Sequence, residues 1–207
     1  MAARKYESPR RTDLALATRE AILTSAYELF RERGYAEVTI GDIAKAATVA
    51  TPTVYNSVGG KAKILATLLE PAIGDSHVKE ALAAVEACDD AVGVVELTAR
   101  GTRLTHEKHW HVIFELFYRH PPGEPSVKAV LDRGDQDYVQ ALGRVADRLV
   151  RLHALDEDVD RTRALDVLWF YLGPHAWLTL VGERGWSFDD AQRWIARGAC
   201  RSLLKRK

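Results

Sequence analysis

Apolar residues recur at helical spacing along nearly the whole chain, whereas strand-like alternation is almost absent. The first run follows Thr18, which we predict caps a helix over residues 18–33 that Gly34 ends. Shorter segments follow over 39–47 and 51–58, and a fourth helix starts at Lys61. Longer helices are predicted near residues 77–88, 90–104, 107–119, 125–153, 158–182 and 187–205. The pattern predicts an all-α fold of about nine to ten helices.

Capping residues mark the short segments. Thr39 and Asp42 have the spacing of a capping box, with Asp in the position that Glu usually takes. Thr51 is the predicted N-cap of the next helix, and Pro52 suits the first helical position because it lacks an N–H group. Pro174, inside the 158–182 segment, predicts a kink because it removes a helical hydrogen bond.

Composition is typical of a globular chain: of the 207 residues, 47% are apolar and 28% are charged. Lys plus Arg and Asp plus Glu both number 29, so the net charge is zero. Residues 1–65 nevertheless hold 10 basic and 7 acidic residues, which places a small positive excess at the N-terminal end. Two cysteines cannot build a disulfide framework. The sequence has no signal peptide pattern and no long apolar run, so we expect a cytoplasmic protein without a membrane span.

The two short segments, braced by the helix before them, fit a helix-turn-helix. The second segment has the polar surface and small side chains that entry into the major groove requires. Its Thr methyl groups suit thymine, and Asn56 suits an adenine edge. Tyr55 and Lys61 are candidates for phosphate contacts. Spacing alone leaves open a helical hairpin that packs without binding DNA.

A longer stretch of motifs carries a more specific signal. It comprises Phe-x-x-x-Gly-Tyr ending at Tyr35, Thr-Ile-x-Asp-Ile-Ala from Thr39, Thr-Val-Tyr ending at Tyr55, Lys61, and Ile-Leu from Ile64. This run of about 50 residues resembles the N-terminal domain of the TetR family of bacterial transcriptional regulators. The C-terminal stretch LGPHAWLTLVGERGWSFDDAQRWI resembles the last two helices of many members, though more weakly.

The resemblance implies a homodimer that binds double-stranded DNA at a palindromic operator, usually represses, and is released by a small-molecule effector in the C-terminal domain. The DNA-binding residues that it implies are Thr39, Lys45, Thr51, Pro52, Thr53, Tyr55, Asn56 and Lys61. Thr48 departs from the family pattern, since it replaces a glycine of the turn. Either the turn avoids a positive φ, or a β-branched residue is strained there.

Domain boundaries are predicted at residues 17 and 65. Residues 1–17 form a flexible basic arm, residues 18–65 the helix-turn-helix domain, and residues 66–207 the effector-binding and dimerisation domain. The arm carries Arg4, Lys5, Arg10 and Arg11. It is either a solvated tail or an additional contact to DNA.

Aromatic residues at helical spacing in the larger domain suggest an effector pocket, although such residues also form ordinary core. The predicted lining is Trp110, His111, Phe114, Glu115, Tyr118, Trp169, Phe170 and His175. His106, His109 and His111 do not have the spacing of a zinc motif, so we predict no metal, and no cofactor is implied. The sequence also lacks a glycine-rich phosphate loop and a nucleophile elbow, so we expect no enzyme.

The last two long helices are candidates for a four-helix dimer interface. The predicted interface residues are Leu165, Leu172, Leu178, Trp194 and Ile195. The alternative is that both helices only cover the core of their own chain. A second functional class also stays open: a helical dimeric protein that binds a small molecule or a partner without operator-specific DNA binding.

Overall fold

The computed structural model describes residues 9–73, 75–118 and 125–205. The chain divides into two compact units, one of Met1–Glu70 with Glu115–Lys128 and one of Pro71–Phe114 with Ala129–Lys207. Within the described ranges, the regular elements are all helical, apart from one isolated β-bridge between Leu155 and Leu204. The prediction of an all-α fold is confirmed.

The helices follow one another with short connections. The elements in chain order are α1 (Pro9–Arg33), α2 (Ile40–Ala46), α3 (Thr51–Ser57), α4 (Lys61–Ile73), α5 (Ser76–Ala87), α6 (Ala91–Trp110), α7 (Pro125–Arg151), α8 (Arg161–Leu172), α9 (Pro174–Trp177) and α10 (Phe188–Leu203). Two π-helical segments continue α6 and α9 directly, over His111–Tyr118 and Leu178–Glu183. The domain boundary predicted after residue 65 lies inside α4.

Helix α1 begins earlier than the sequence pattern predicts. It starts at Pro9, so the prediction of a flexible arm is wrong for residues 9–17. These first turns are stable as helix without tertiary burial of their apolar residues, since Leu14 and Leu16 are 64% and 55% exposed. Helix formers such as Leu and Ala supply the local preference. Residues 1–8, with Arg4 and Lys5, lie outside the described residues.

The first unit is built around the apolar stripe of α1. Its fully buried residues Ile22, Ala26 and Phe30 recur every four residues and pack against α2 and α3. Ile43 of α2 and Val54 of α3 complete this core, and neither is accessible to solvent. Burial of one or two apolar side chains from each short helix holds α2 and α3 in place.

The second unit has a larger core, to which α5, α6, α7, α8 and α10 all contribute. Helix α10 packs against both α6 and α8. Where a kink was predicted at Pro174, the helix ends and restarts: α8 ends at Leu172 and α9 begins at Pro174. None of the helices within the described ranges has an apolar stretch that could cross a membrane.

Candidate nucleic-acid interface and effector site

The start of α2 is fixed by the predicted capping box. Asp42 N donates to Thr39 Oγ1 at 3.1 Å, and Thr39 N donates to Asp42 Oδ2 at 2.9 Å. The Thr39 hydroxyl also donates to Asp42 Oδ2 at 2.7 Å. These hydrogen bonds, above all that from the Thr39 side chain, lower the pKa of Asp42. Thr39 thus caps α2, as predicted, and its exposed hydroxyl is already engaged within the cap.

The turn between α2 and α3 is a Schellman motif with threonine in the glycine position. Val49 N donates to the Ala44 carbonyl at 2.9 Å, and Thr48 N donates to the Lys45 carbonyl at 3.2 Å. Thr48 has a φ of 56°, in the left-handed region that glycine adopts without penalty. Of the two alternatives for this turn, the strained one is therefore present. A β-branched residue in this conformation costs about 1–3 kcal/mol.

Helix α3 begins one residue earlier than predicted. Ala50 occupies the N-cap and makes no side-chain capping bond, whereas Thr51 is the first helical residue. The prediction that Thr51 caps the helix is therefore wrong. Pro52 is tolerated at the second helical position because its missing N–H has no intrahelical acceptor there.

The surface of α3 is polar and accessible. Only Val54 of this helix is buried, whereas Thr51, Pro52 and Asn56 are exposed and Thr53 is half-buried. The Tyr55 side chain is 56% exposed. Lys45, near the end of α2, is exposed as well. Helix α3 therefore leaves all but one of its predicted DNA-contacting side chains fully exposed, which is the arrangement that a groove-reading helix needs.

Lys61 has an intramolecular role that the sequence did not reveal. Its ammonium donates to the carbonyl oxygens of Tyr35 at 2.8 Å and Ala36 at 3.3 Å. It also lies 4.3 Å from the centre of the Tyr35 ring, within range of a cation–π interaction. Lys61 therefore ties the first turn of α4 to the connection between α1 and α2, and a phosphate contact from Lys61 stays a prediction.

Arg19 is a second residue that sequence analysis missed. Its Nη1 atom donates to the Ser57 carbonyl at 2.7 Å and so joins α1 to the last residue of α3. The Ser57 carbonyl belongs to the final turn of a helix, where carbonyl oxygens lack intrahelical donors and a cation is favourable. Arg19 thereby supports the orientation of α3.

The eight residues predicted to line an effector pocket do not form one cluster. Phe170 is 71% exposed, and His111 and His175 are exposed too. Glu115 accepts a hydrogen bond from Tyr27 of α1 at 3.1 Å, within the first unit. Helical periodicity does not tell which face of a helix turns inward, and a role of these four residues in effector binding stays a prediction. Tyr118 also falls in the first unit.

Of the remaining predicted aromatics, Trp110 and Trp169 belong to a partly buried cluster in the second unit, and Phe114 stacks against it. Trp110 stacks on Phe114 with the ring centres 4.9 Å apart, and Trp169 meets Tyr138 edge-on at 5.8 Å. The sequence analysis did not name the other rings of this cluster as pocket residues. We define the aromatic cluster as the following residues of α6, α7, α8, α9 and α10: His106, Trp110, Tyr138, Trp169, Trp177 and Phe188.

Trp177 is at the centre of this cluster and is inaccessible to solvent. His106 stacks on its indole at 5.7 Å, and Phe188 packs against it at 6.1 Å. Tyr138 donates its hydroxyl hydrogen to the Leu172 carbonyl at 2.5 Å. That carbonyl lies at the end of α8, where the helix breaks before Pro174, so Tyr138 supplies a donor at the break.

Burial makes His106 a neutral residue. Desolvation lowers the pKa of His106 to about 4, although a hydrogen bond to the Thr102 carbonyl at 2.8 Å acts in the opposite direction. In the neutral ring, Nδ1 carries the hydrogen that this bond requires, so Nε2 carries the lone pair. Burial likewise raises the pKa of Tyr138 above its ordinary value.

A buried carboxylate, from the start of α5, contacts α6 about one helical turn beyond His106. Asp75, the N-cap of α5, receives hydrogen bonds from His109 Nε2 at 2.6 Å, Lys108 Nζ at 2.9 Å and His77 N at 2.9 Å. Burial alone raises the pKa of Asp75, but these donors outweigh it and hold the pKa well below its usual range. Asp75 therefore stays ionised and links α5 to α6.

The predicted dimer-interface residues divide into buried and accessible ones. Leu172 and Ile195 are fully buried and Leu178 nearly so, within the core of their own unit. The interface prediction is corrected for these three, because core and interface residues share the same helical periodicity. Leu165 is half-buried and Trp194 is 49% exposed.

An exposed aromatic row does lie on α8 and α10. Phe170 contacts Tyr171 at 5.1 Å, Tyr171 contacts Trp194 at 6.2 Å, and Trp194 contacts Trp186 at 6.0 Å. Phe170, Trp194 and Trp186 are 71%, 49% and 38% exposed, and Trp186 lies in the connection just before α10. Such a contiguous patch is typical of an interaction surface.

The geometry of α1, α2 and α3 defines a helix-turn-helix domain. Residues 22–68, which contain α2, α3 and the second half of α1, match the model of the family described as bacterial regulatory proteins, tetR family. The resemblance that the sequence motifs indicate is therefore confirmed for residues 22–68, which match the N-terminal domain of this family.

Solved structures extend the likeness of the fold to nearly the whole chain. NalD, the secondary repressor of the MexAB-OprM multidrug efflux pump in Pseudomonas aeruginosa, is 20% identical with a TM-score of 0.75, covering 94% of this chain and 100% of that chain. SmeT, the repressor of the Stenotrophomonas maltophilia multidrug efflux pump SmeDEF, is 19% identical with a TM-score of 0.65, covering 92% of each chain.

Two of the similar structures are complexes with small molecules. One is SmeT with triclosan, which is 18% identical with a TM-score of 0.65 and covers 91% of this chain and 92% of that chain. The other is a transcriptional regulator from Saccharomonospora viridis with choline, 19% identical with a TM-score of 0.66, covering 91% and 98%. Among curated proteins, none matches this sequence.

Proposed function

We propose that the chain is a cytoplasmic repressor that binds a palindromic operator as a homodimer and releases it when a small molecule binds the second unit. The observation that carries the DNA-binding part is the exposure of Thr51, Tyr55 and Asn56 on a helix that α1 and α2 brace. The match of residues 22–68 to the family model supports it.

Each exposed group on α3 and α2 has a separate role in this proposal. Asn56 reads a base edge, the Tyr55 hydroxyl donates to a phosphate, and Lys45 pairs with a phosphate by charge. Arg19 and Lys61 position α3 and α4 through the carbonyl contacts described above. Base readout and phosphate contact respond differently to salt, which makes the roles separable.

The DNA-binding proposal is tested by fluorescence anisotropy on a selected operator and on unrelated DNA at several salt concentrations. Asn56→Ala is expected to weaken operator binding by about 1–3 kcal/mol with an unchanged salt slope. Lys45→Ala is expected to weaken both DNAs alike and to reduce the slope by about 1. Lys79→Ala, an exposed lysine of α5, is the matched control. Equal effects of all three substitutions would contradict the assigned roles.

The homodimer is proposed to form through the exposed aromatic row on α8 and α10. Burial of Phe170 and Trp194 against a second copy removes their apolar surface from water. A two-fold axis then presents two α3 helices to successive major grooves, about 34–36 Å apart.

Sedimentation analysis of charge substitutions tests this interface. Phe170→Glu is expected to shift the protein towards monomer, whereas Val92→Glu, at a 44% exposed apolar position of α6, is expected to leave it dimeric. A dimer that is unaffected by Phe170→Glu, or a wild-type monomer at micromolar concentration, would contradict the interface.

Effector release is proposed to work by a population shift. A ligand that binds more tightly to a conformation with wrongly spaced α3 helices lowers operator affinity by its differential affinity for the two conformations. The complexes of similar structures with triclosan and choline support a small organic effector. The aromatic cluster is the proposed site because it combines several convergent rings with a few polar atoms.

A further inference from the structure

Trp177 holds a polar atom that its own chain does not satisfy. Its indole Nε1 is buried, and no acceptor among the described residues lies within hydrogen-bond distance. Buried donors are rarely left unpaired, and each exception calls for an explanation in terms of function, water or ligand. Within the described part of the second unit, no other buried side-chain nitrogen or oxygen lacks a hydrogen-bond partner.

Two neighbouring polar atoms of the aromatic cluster do have partners. His106 Nδ1 bonds the Thr102 carbonyl, and the Tyr138 hydroxyl bonds the Leu172 carbonyl. The rings against Trp177 are those of His106 and Phe188. The unsatisfied group is therefore a single N–H donor on an indole that packs against two other rings.

The backbone beside the cluster departs from regular helix in two places. One π-helical segment begins directly after Trp110, and the other begins directly after Trp177. They approach each other where the Phe114 ring covers Gly182 so closely that a Cβ on residue 182 would have no space. π-Helical turns are rare and are frequent at functional sites. Both segments therefore begin in the same part of the unit as the unsatisfied indole.

We propose that Trp177 Nε1 donates a hydrogen bond to a neutral aromatic ligand that carries a carbonyl or ether oxygen. An indole N–H can only donate, so the ligand must supply an acceptor. The rings of His106 and Phe188 pack against the indole, and His106 is neutral, so neither offers a counter-charge. An unpaired buried charge is costly. The identity of this ligand as the effector rests on the proposed function, whereas its binding to Trp177 does not.

A matched pair of probes isolates the hydrogen bond. Benzophenone is a neutral diaryl ketone, and 1,1-diphenylethylene has nearly the same shape but lacks the acceptor oxygen. Isothermal titration of the full chain is expected to give tighter binding of benzophenone, by about 2- to 13-fold for a hydrogen bond of ordinary strength. Anionic 4-benzoylbenzoate is expected to bind more weakly than benzophenone.

Trp177→Phe removes the donor and keeps an aromatic ring. This variant is expected to bind the two neutral probes equally, and retained binding of 1,1-diphenylethylene shows that the site is folded. Trp169→Phe is the matched control, since it alters another tryptophan of the cluster, and it is expected to preserve the preference for benzophenone.

Three results would overturn the proposal. They are equal binding of the neutral probes by the wild type, the same preference in Trp177→Phe, and no binding of benzophenone up to its solubility limit. Operator anisotropy in the same samples separates this proposal from the proposed function. Probe binding without loss of operator affinity leaves the Trp177 site standing and contradicts its role as effector site. Specific operator binding without probe binding contradicts the Trp177 site and leaves operator recognition standing.

Discussion

Replacement of His106 should change how the stability of the protein depends on pH. The His106 ring is neutral when folded because burial lowers its pKa to about 4, compared with 6.5 in the unfolded chain. Between these values the unfolded chain takes up a proton that the folded chain excludes. The contribution of His106 is therefore favourable above pH 6.5 and is lost progressively as the pH falls towards 4.

The size of this effect follows from the two pKa values. Each pKa unit corresponds to about 1.36 kcal/mol, so complete loss amounts to about 3 kcal/mol. At pH 4.5 most of it, about 2–3 kcal/mol, is already lost. His109 lies one turn along α6, and its charge lowers the pKa of His106 in the same direction as burial does.

Urea unfolding followed by circular dichroism at pH 7 and pH 4.5 measures the effect. His106→Asn keeps a side-chain donor for the Thr102 carbonyl and removes the titrating ring. At pH 7 we expect His106→Asn to have a lower free energy of unfolding than the wild type, because packing is lost. At pH 4.5 this difference in unfolding free energy should be smaller by about 2–3 kcal/mol. His175→Asn changes an exposed histidine of the same unit and should follow the wild type. The same difference in unfolding free energy between His106→Asn and the wild type at both pH values would contradict a lowered pKa of His106.

Three further substitutions test individual contacts by urea unfolding at pH 7. Thr48→Gly should stabilise the protein by about 1 kcal/mol, because relief of strain at positive φ exceeds the entropy that glycine adds to the unfolded chain; a loss of stability would exclude strain at the turn. Asp75→Asn should cost about 3–5 kcal/mol, because it leaves buried donors without their carboxylate; a cost below about 1 kcal/mol would mean that the ion pairs contribute little. Arg19→Met should cost about 1.5–3 kcal/mol and weaken operator binding, since the Ser57 carbonyl loses a charged donor; unchanged DNA affinity would separate Arg19 from the orientation of α3.

Features that depend on a few neighbouring residues were predictable from the sequence. The capping box of Thr39 and Asp42 and the break at Pro174 are set by local geometry, and both are present. The early start of α1 was not predicted, although proline is typical of a first helical position. The N-cap of α3 was misplaced by one residue because proline is accepted at either of the first two helical positions.

Contacts between distant segments were not predictable. Helical spacing identifies apolar faces, but it does not say which ring meets which. The stacking of His106 on Trp177 joins residues from different helices, and so does the bond from Arg19 to Ser57. Phe170 and Leu172 lie two positions apart on α8, yet one is 71% exposed and the other fully buried. Their different surroundings follow only from the packing of α8 against α10.

Selection of random-sequence DNA by the purified full chain tests the central claim most directly, because it requires no knowledge of the operator. The account predicts enrichment of an inverted repeat whose half-sites are about 10 base pairs, or a multiple of one helical turn, apart. The Asn56→Ala variant should bind the enriched DNA more weakly than the wild type, whereas the Lys79→Ala variant should bind it equally well. Recovery of DNA without a common motif, after repeated rounds at moderate salt, would contradict operator recognition by α3.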